Sequence, residues 1–535
     1  MADQIAHRKL HGRAFYESIG SPKMILAPMV DQSEYAWRML SRSFMTPESS
    51  KDLLAYSPMF HARLFADTPK YRESHFQPIR STLPSPPDSY HASQHNESDR
   101  YLDGNPKKDR PLFVQFCANN PDELLAAAKH VQHFCDAVDL NLGCPQGIAK
   151  KGHYGAFLQE DWDLIYELIN KLHLELDIPV TAKMRVLETK EKTLEYAKMI
   201  LSAGASILTV HGRRREQKGH NTGLADWGML RYLRDNLPPE TVMFANGNIL
   251  QHEDIARCLQ ETGVDGVMSA EGNLYDPTIF AEPPPAGQEG REYWRGKDGK
   301  GGFRMDAVLR RYMDIIYRDV LGQEPPQRKP LFLPSDASEE QPTANAPIPV
   351  QEVNEEKDDQ KTILNKTRKG NHRKRNKSAA KPNVVAKLAK DALAKSRAGD
   401  IAAYENVLTL VEIATKEGML EYEACASKGK AAAVEDQPEV RPEEDPTKDP
   451  SSLATVAKCK RPWFICQPHI RPLPNEAMQK GALSLTKKEK ARLEKEKAET
   501  REAGLTPGGR VEEEKVADKE DAPTVEVAKE GLVCG

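Results

Sequence analysis

Eight short apolar runs recur between residues 23 and 272 of the 535-residue chain. Each run is mostly apolar rather than alternating, which is typical of strands buried on both faces. Stretches with helical features separate most of them; Asn120 and Pro121, for example, form an N-terminal cap for the segment ELLAAAKHVQHF. Eight such strands over about 250 residues predict a (β/α)8 barrel, an α/β fold of the TIM-barrel type. The predicted strands lie within 23–28, 53–59, 111–117, 137–143, 179–186, 207–212, 242–248 and 266–272.

A doubly wound parallel sheet is the alternative architecture. It would have fewer strands, and a glycine-rich nucleotide-binding loop would follow its first strand. The glycine-rich loop at 296–302 follows no predicted strand. The sequence therefore favours the barrel.

The chain is too long for a single core, because single cores stop growing near about 250–300 residues. We expect the barrel to occupy residues 1–285, with a polar, Pro- and Ser-rich surface insertion at 66–110. The remainder is expected to divide into a helical segment (286–330), an acidic and Pro-rich linker with a basic cluster (331–380), a helical C-terminal extension (381–480) and a charged tail (481–535), with the linker and the tail disordered.

The formal net charge of −4 gives no global basic excess, so any affinity for nucleic acid has to come from local clusters. The basic run KTRKGNHRKRNK at 366–377 is such a cluster. It could be an RNA-binding tether, a nuclear localisation signal, or both.

Cysteine spacing and hydropathy narrow the class of protein further. The eight cysteines show no CxxC pair and no His/Cys spacing that suits zinc, so we predict no metal site. No apolar run approaches the roughly 18–20 residues of a membrane helix, and the N-terminus lacks the apolar region of a signal peptide. We expect a protein of the cytoplasm, the nucleus or both, with no membrane partner.

Polar residues lie at or just past the C-terminal ends of five predicted strands, where barrel active sites form. Each one alone could be a satisfied polar group at a strand end, but eight together favour a site. The set has no carboxylate pair and no metal-ligand cluster, which argues against glycosidase and metal-hydrolase chemistry. It favours a planar, anionic, hydrogen-bonding cofactor. The residues are Gln115, Asn141, Cys144, Lys183, Arg185, His211, Asn246 and Asn248.

Cys144 lies one residue past the fourth predicted strand, between Gly143 and Pro145. Most free cysteines are small buried hydrophobes. Here the flanking turn and the nearby Lys150 and Lys151 favour a functional thiol. No His/Asp partner motif indicates a protease-type nucleophile, so a general acid is the better role.

Seven segments in combination resemble the tRNA-dihydrouridine synthase family: ILAPMVDQSEYAWR, VQFCANNP, DLNLGCPQG, VTAKMRV, TVHGRRREQKG, GLADW and FANGNI. The resemblance covers about residues 12–285. LAYSPMFHARLF, MSAEGNLYDP and WFICQPHIRPLP are similar to the eukaryotic subfamily that acts on uridines 16 and 17 of the tRNA D-loop. The resemblance implies an FMN-dependent oxidoreductase that reduces the 5,6 double bond of these uridines with NADPH or NADH.

The resemblance also implies roles for individual residues. Cys144 would protonate carbon 5 of the uracil, which Asn141 and Arg185 would contact. Gln115 and Lys183 would hydrogen-bond the pyrimidine end of the flavin ring, where a cation stabilises the reduced form. The other expected flavin contacts are Pro28, Met29 and Val30 at the ring, and His211, Asn246, Gly247, Asn248, Ala270 and Glu271 around the ribityl chain and phosphate.

One of these assignments is qualified by the residues themselves, and one further residue is expected to contact the substrate. Ala270 and Glu271 depart from a commoner Gly-Arg pattern of the family, so a backbone contact is expected there rather than a side-chain charge. Arg213 opens the triple arginine 213–215, which we expect to contact tRNA phosphates.

Two rival functions remain open. A small-molecule pyrimidine reductase on a similar FMN barrel would not need the long C-terminal region with its basic cluster. An inert RNA-binding barrel would not need Cys144, Lys183 and His211 together.

Overall fold

The computed structural model describes residues 9–79, 101–219, 222–296, 299, 301–338, 401–427 and 461–467. The basic run 366–377 and the charged tail 481–535 lie outside the described residues, as does most of the linker expected at 331–380.

Within the described residues, eight parallel strands close into a barrel, which confirms the (β/α)8 prediction. Each of the eight apolar runs contains one barrel strand. The strand Met24–Leu26 pairs with Gly266–Ser269, and Leu53–Tyr56 pairs with Leu112–Cys117, so the barrel is closed. A further two-residue strand, Phe60–His61, also pairs with Leu112–Cys117. The strands are β1 (Met24–Leu26), β2 (Leu53–Tyr56), β3 (Phe60–His61), β4 (Leu112–Cys117), β5 (Ala137–Leu142), β6 (Val180–Arg185), β7 (Ile207–His211), β8 (Val242–Asn246) and β9 (Gly266–Ser269).

Helices cover the outside of the barrel and bury their apolar faces against it. Asn120 caps α5 as predicted, because its side chain accepts hydrogen bonds from the backbone N–H groups of Asp122 and Glu123. The helices are α1 (Gly12–Ser18), α2 (Tyr35–Ser43), α3 (Ala62–Asp67), α4 (Pro69–His75), α5 (Pro121–Val131), α6 (Gly147–Gly152), α7 (Trp162–Glu175), α8 (Lys190–Ser202), α9 (Trp227–Asn236), α10 (Glu253–Thr262), α11 (Glu271–Tyr275), α12 (Met305–Ile315) and α13 (Ala402–Ser427).

At the C-terminal end of the 66–110 segment, residues 101–110 belong to the packed structure and not to a surface insertion, whereas α4 near the other end buries none of its residues. Residues 69–75 form α4, and residues 101–110 run back to β4. Asp103 and Asp109 are buried there and pair with the fully buried Arg38 of α2, at 2.8 and 2.6 Å. These ion pairs hold the segment against the barrel; residues 80–100 lie outside the described residues.

The region after the barrel, which we expected to be a helical segment at 286–330, begins with a hairpin. Strands β10 (Tyr293–Arg295) and β11 (Gly301–Phe303) are antiparallel, and residues 461–467 bond to the second of them. Helix α12 follows, continues into a π-helical turn (Ile316–Leu321) and packs against α2 and α13. Among the described residues, no helix combines the length and the apolar character needed to span a membrane.

Candidate active site

The structure brings the predicted strand-end residues together at one end of the barrel. Asn141 lies opposite Lys183 in the register of β5 and β6, and His211 lies between Arg185 and Asn246 in the register of β6, β7 and β8. All five side chains are buried. The sequence therefore identified residues from separate strands that share one surface of the barrel mouth.

A chain of hydrogen bonds runs from the barrel interior to the loop that carries Cys144. The Gln115 Nε2 donates to Asp139 at 2.8 Å, and the Gln115 Oε1 accepts from the Asn141 Nδ2 at 2.8 Å. The Asn141 Oδ1 in turn accepts from the backbone N–H groups of Gly143 and Cys144, at 3.0 and 2.8 Å. The chain fixes both amide side chains and holds the turn after β5.

Asp139 is a site residue that sequence reasoning missed. Its carboxylate is fully buried and also accepts a hydrogen bond from the Thr181 hydroxyl at 2.6 Å. Burial raises the pKa of Asp139 to about 6, although hydrogen bonds from Thr181 and Gln115 and the charge of Lys183 act in the opposite direction. The available signal was its spacing, since Asp139 lies two residues before Asn141 and so points to the same face of β5.

The Cys144 thiol lies in a small apolar cluster at the mouth. Cys117 and Tyr154 belong to that cluster, and Val30 and Met59 pack against it. The Cys144 carbonyl accepts from the N–H of Ala156 at 3.0 Å, which draws the 155–158 turn against the loop. Cys144 is therefore held in place from both sides.

Arg185 supports the same loop from β6. Its Nε donates to the Gly143 carbonyl at 2.6 Å, and a terminal nitrogen donates to the Arg214 carbonyl at 3.3 Å. The side chain is only 5% exposed. Arg185, the predicted uracil contact, is therefore hydrogen-bonded to the turn that carries Cys144.

Arg213 is buried, in contrast to the phosphate contact that we expected on the surface. Its guanidinium donates to the Gly223 carbonyl at 2.9 and 3.1 Å and to the Asn248 Oδ1 at 2.9 Å. It also lies 3.1 Å from the His211 Nε2. Because a guanidinium can only donate, this nitrogen of His211 is the acceptor. Arg213 therefore ties the loop after β7 to the end of β8.

The remaining predicted residues surround the mouth from β1, β8 and β9. Pro28 and Met29 are buried directly after β1, and Ala270 is buried at the start of α11, where Glu271 is half-buried. Gly247 has a φ of +109°, and a Cβ there would meet the Cβ of Ala225 at 2.6 Å. Only glycine fits this close approach.

Asn246 presents an acceptor to the mouth. Its Nδ2 donates to the Met268 carbonyl at 3.1 Å, whereas its buried Oδ1 has no hydrogen-bond partner among the described residues. No group of three or more His, Cys, Asp or Glu side chains in the described parts of the chain could hold a metal ion. The arrangement offers amides, a lysine and a thiol at the barrel mouth.

Residues 25–293 match the family model described as Dihydrouridine synthase (Dus). The chain belongs to this family. The part of the chain that matches the dihydrouridine synthase model covers the barrel and ends at the first residue of β10. Helices α12 and α13 lie beyond it.

Three curated relatives are similar to this chain over 279 to 315 residues. A protein of Saccharomyces cerevisiae named tRNA-dihydrouridine(16/17) synthase, NAD(P)(+), is 53% identical over 315 residues, which cover 59% of this chain and 65% of the relative. A protein of Schizosaccharomyces pombe with the same name is 57% identical over 279 residues, covering 52% and 62%. A mouse protein with "-like" added to that name is 46% identical over 281 residues, covering 52% of each. The chain thus spans between 52% and 65% of the length of these relatives.

Proposed function

We propose that this chain is an FMN-dependent tRNA-dihydrouridine synthase that reduces the 5,6 double bond of uridines 16 and 17 in tRNA with NADPH or NADH. The observation that carries the proposal is the position of Cys144, whose backbone N–H donates to Asn141 beside Gln115 and Lys183 in a barrel of the dihydrouridine synthase family. The names of the relatives support the tRNA substrate, the positions and the nicotinamide reductant.

The residues at the barrel mouth fit a flavin. The buried Asn246 Oδ1 has no partner among the described residues and is available to a donor of a ligand. Lys183 supplies a buried cation, which suits the pyrimidine end of the ring beside Gln115. Val30 packs against the Cys144 cluster, so a ring lying along residues 28–30 would lie next to the thiol.

The other ligand groups have matching neighbours. Residues 246–248 and 270–271, together with His211, would hold the ribityl chain and phosphate, mainly through their backbone. Bound FMN would supply the hydride that carbon 6 of the uracil receives. The nicotinamide dinucleotide would reach the same face of the barrel.

Cys144 has the position that a general acid requires. An ordinary cysteine has a pKa of about 8.5 and therefore carries its proton at neutral pH. The Cys144 N–H donates to Asn141 and the Cys144 carbonyl accepts from the N–H of Ala156, so the backbone that carries the thiol and its proton is fixed in the mouth. That proton would go to carbon 5 of the uracil, and Arg185 would maintain the turn during the transfer.

The uridine has to leave the folded tRNA before it can enter the mouth. Extruding a stacked nucleotide costs a few kcal/mol, which contacts to the rest of the RNA have to offset. Lys150 and Lys151 of α6 are exposed and follow Cys144 closely in the chain. We assign them to phosphate contacts next to the extruded uridine.

Incubating the purified protein with FMN, NADPH and tRNA that lacks dihydrouridine tests the function directly. We expect a yellow protein and dihydrouridine at positions 16 and 17, mapped by sequencing of the product. Reduction of free uracil or uridine without reaction on tRNA would support the pyrimidine reductase instead. Binding of tRNA by a protein that takes up no flavin would support the inert RNA-binding barrel.

Gly155 provides a test of how tightly the Cys144 loop is positioned. Its φ is +66°, and a Cβ at this residue would lie 2.9 Å from both the Cβ and the carbonyl oxygen of Cys144. We expect Gly155→Ala to displace Cys144 and to lower dihydrouridine formation at least tenfold, in addition to roughly 1–2 kcal/mol of backbone strain. Thermal unfolding and single-turnover product formation measure the two effects.

Gly12→Ala is the matched control for this variant. Gly12 has a φ of +56°, but a Cβ there meets nothing within 4 Å. It should lose a similar amount of stability and keep its activity. Equal activity in the two variants would show that the position of Cys144 is not limiting.

A further inference from the structure

Asp139 is a buried carboxylate for which the proposed reaction has no use. It lies on the inward face of β5, below Asn141, and its side chain is fully buried. Two neutral groups donate to it, the Gln115 amide at 2.8 Å and the Thr181 hydroxyl at 2.6 Å. Its titratable neighbours are Lys183 on β6 and Tyr56 on β2. Burying an ionised carboxylate costs desolvation free energy, so we expect a function that requires Asp139.

The carboxylate determines the orientation of the hydrogen-bond chain. An ionised carboxylate only accepts, so Gln115 has to turn its Nε2 towards Asp139 and its Oε1 towards Asn141. At the other end, the backbone N–H groups of Gly143 and Cys144 only donate, so Asn141 has to present its Oδ1 to them. The two ends agree, and each amide therefore has a single satisfied orientation.

We propose that Asp139 is a positioning residue of the flavin site, which orients Gln115 and, as the counter-charge of Lys183, lowers the reduction potential of the bound flavin. The proposal rests on the proposed function, because it takes Gln115 and Lys183 to contact the flavin. Asp139 itself acts through these two residues.

The physical reason is the unscreened charge of Asp139. Interactions between charges are several times stronger in a protein interior than in water. An ionised Asp139 offsets part of the positive potential of Lys183 and so opposes the gain of negative charge when the flavin is reduced. Protonation of Asp139 removes that opposition. Because burial raises the pKa of Asp139 to about 6, the change falls in a pH range where the protein can be studied.

Asp139→Asn separates the charge from the hydrogen bonds. The Asn Oδ1 accepts from Gln115 as before, and the Thr181 hydroxyl can rotate to accept from the new Nδ2. The midpoint potential of the flavin-loaded protein is measured between about pH 5 and pH 8 by equilibration with redox dyes. At the upper end of this range we expect the variant to have the more positive potential. The difference between the two midpoint potentials should disappear as the pH falls through about 6, because the wild-type carboxylate is then protonated and neutral, like the asparagine of the variant.

Two further variants complete the experiment. Asp163→Asn makes the same change of charge at an exposed position in the first turn of α7 and should leave the potential unchanged at every pH. Thr181→Val removes a hydrogen bond to the ionised form of Asp139 and so raises its pKa. The plot of midpoint potential against pH should therefore change slope at a higher pH in this variant than in the wild type. The latter measurement decides the matter if Asp139→Asn does not retain flavin.

The outcomes distinguish this proposal from the proposed function. If the wild type binds flavin and is active, but its midpoint potential equals that of Asp139→Asn or differs from it by the same amount at every pH, the proposal for Asp139 is wrong. The proposed function would then still stand. An unshifted inflection in Thr181→Val would also contradict the proposal for Asp139 alone. A wild type that takes up no FMN would overturn both.

Discussion

Replacing Cys144 by alanine is expected to lower dihydrouridine formation by roughly 10²–10⁴-fold, the usual contribution of a general acid. The variant should still bind FMN and oxidise NADPH. The physical reason is that the thiol acts only in the uridine half of the reaction, when carbon 5 of the uracil receives a proton. The loop itself depends on the Asn141 side chain and on the Cys144 backbone, which alanine retains.

The two half-reactions have to be measured separately. Flavin absorbance gives the rate of reduction by NADPH, and mixing the reduced protein with tRNA in the absence of oxygen gives the rate of product formation. Cys117→Ala is the matched control, since Cys117 belongs to the same apolar cluster and burial raises the pKa of its thiol. It should behave as the wild type in both assays.

Either of two results would remove Cys144 from its proposed role. Loss of bound flavin in Cys144→Ala would make the residue part of the cofactor site or of the structure. Normal product formation would mean that another group protonates carbon 5.

The barrel and the strand-end residues could be predicted because both depend on local sequence. A strand buried on both faces has to be apolar, and a polar residue at its end leaves the core for the mouth. Residues such as Lys183 and His211 therefore stand out from the runs that precede them. Asp139 does not, because it lies nearer the middle of its strand, three residues before Leu142, and its partners Gln115 and Thr181 come from other strands.

The features that the sequence did not reveal depend on contacts between distant segments. The polar composition of residues 101–110 conceals the ion pairs of Asp103 and Asp109 with Arg38. Arg213 has the same sequence context as the arginines that follow it, and only the fold shows that it turns inwards to Gly223. The hairpin of β10 and β11 has strands of three residues each, which are too short for a recognisable periodicity.

Removing the cation of Lys183 should affect the other half of the reaction. We expect Lys183→Met to slow flavin reduction by NADPH by roughly 10²–10³-fold, the range found when one preorganised electrostatic contact is lost, and to lower the fraction of protein that retains FMN. Methionine keeps most of the volume but supplies no positive charge. Lys192→Met is the control, because Lys192 is half-exposed on α8 and pairs with Glu188 on the surface. An unchanged rate of reduction in Lys183→Met, measured at saturating FMN, would exclude a role of this residue at the flavin.

The double variant Lys183→Met/Asp139→Asn distinguishes catalysis from stability. Lys183 lowers the pKa of Asp139, so its removal alone leaves a buried carboxylate without its counter-charge. Such a group costs several kcal/mol if it stays ionised, and it takes up a proton otherwise. The second substitution removes that charge, so the melting temperature should recover relative to Lys183→Met. Loss of the Asp139 charge should restore the rate of flavin reduction only in part, because the double variant still lacks the cation at the flavin. Recovery of both quantities to their wild-type values would mean that Lys183 serves only to neutralise Asp139.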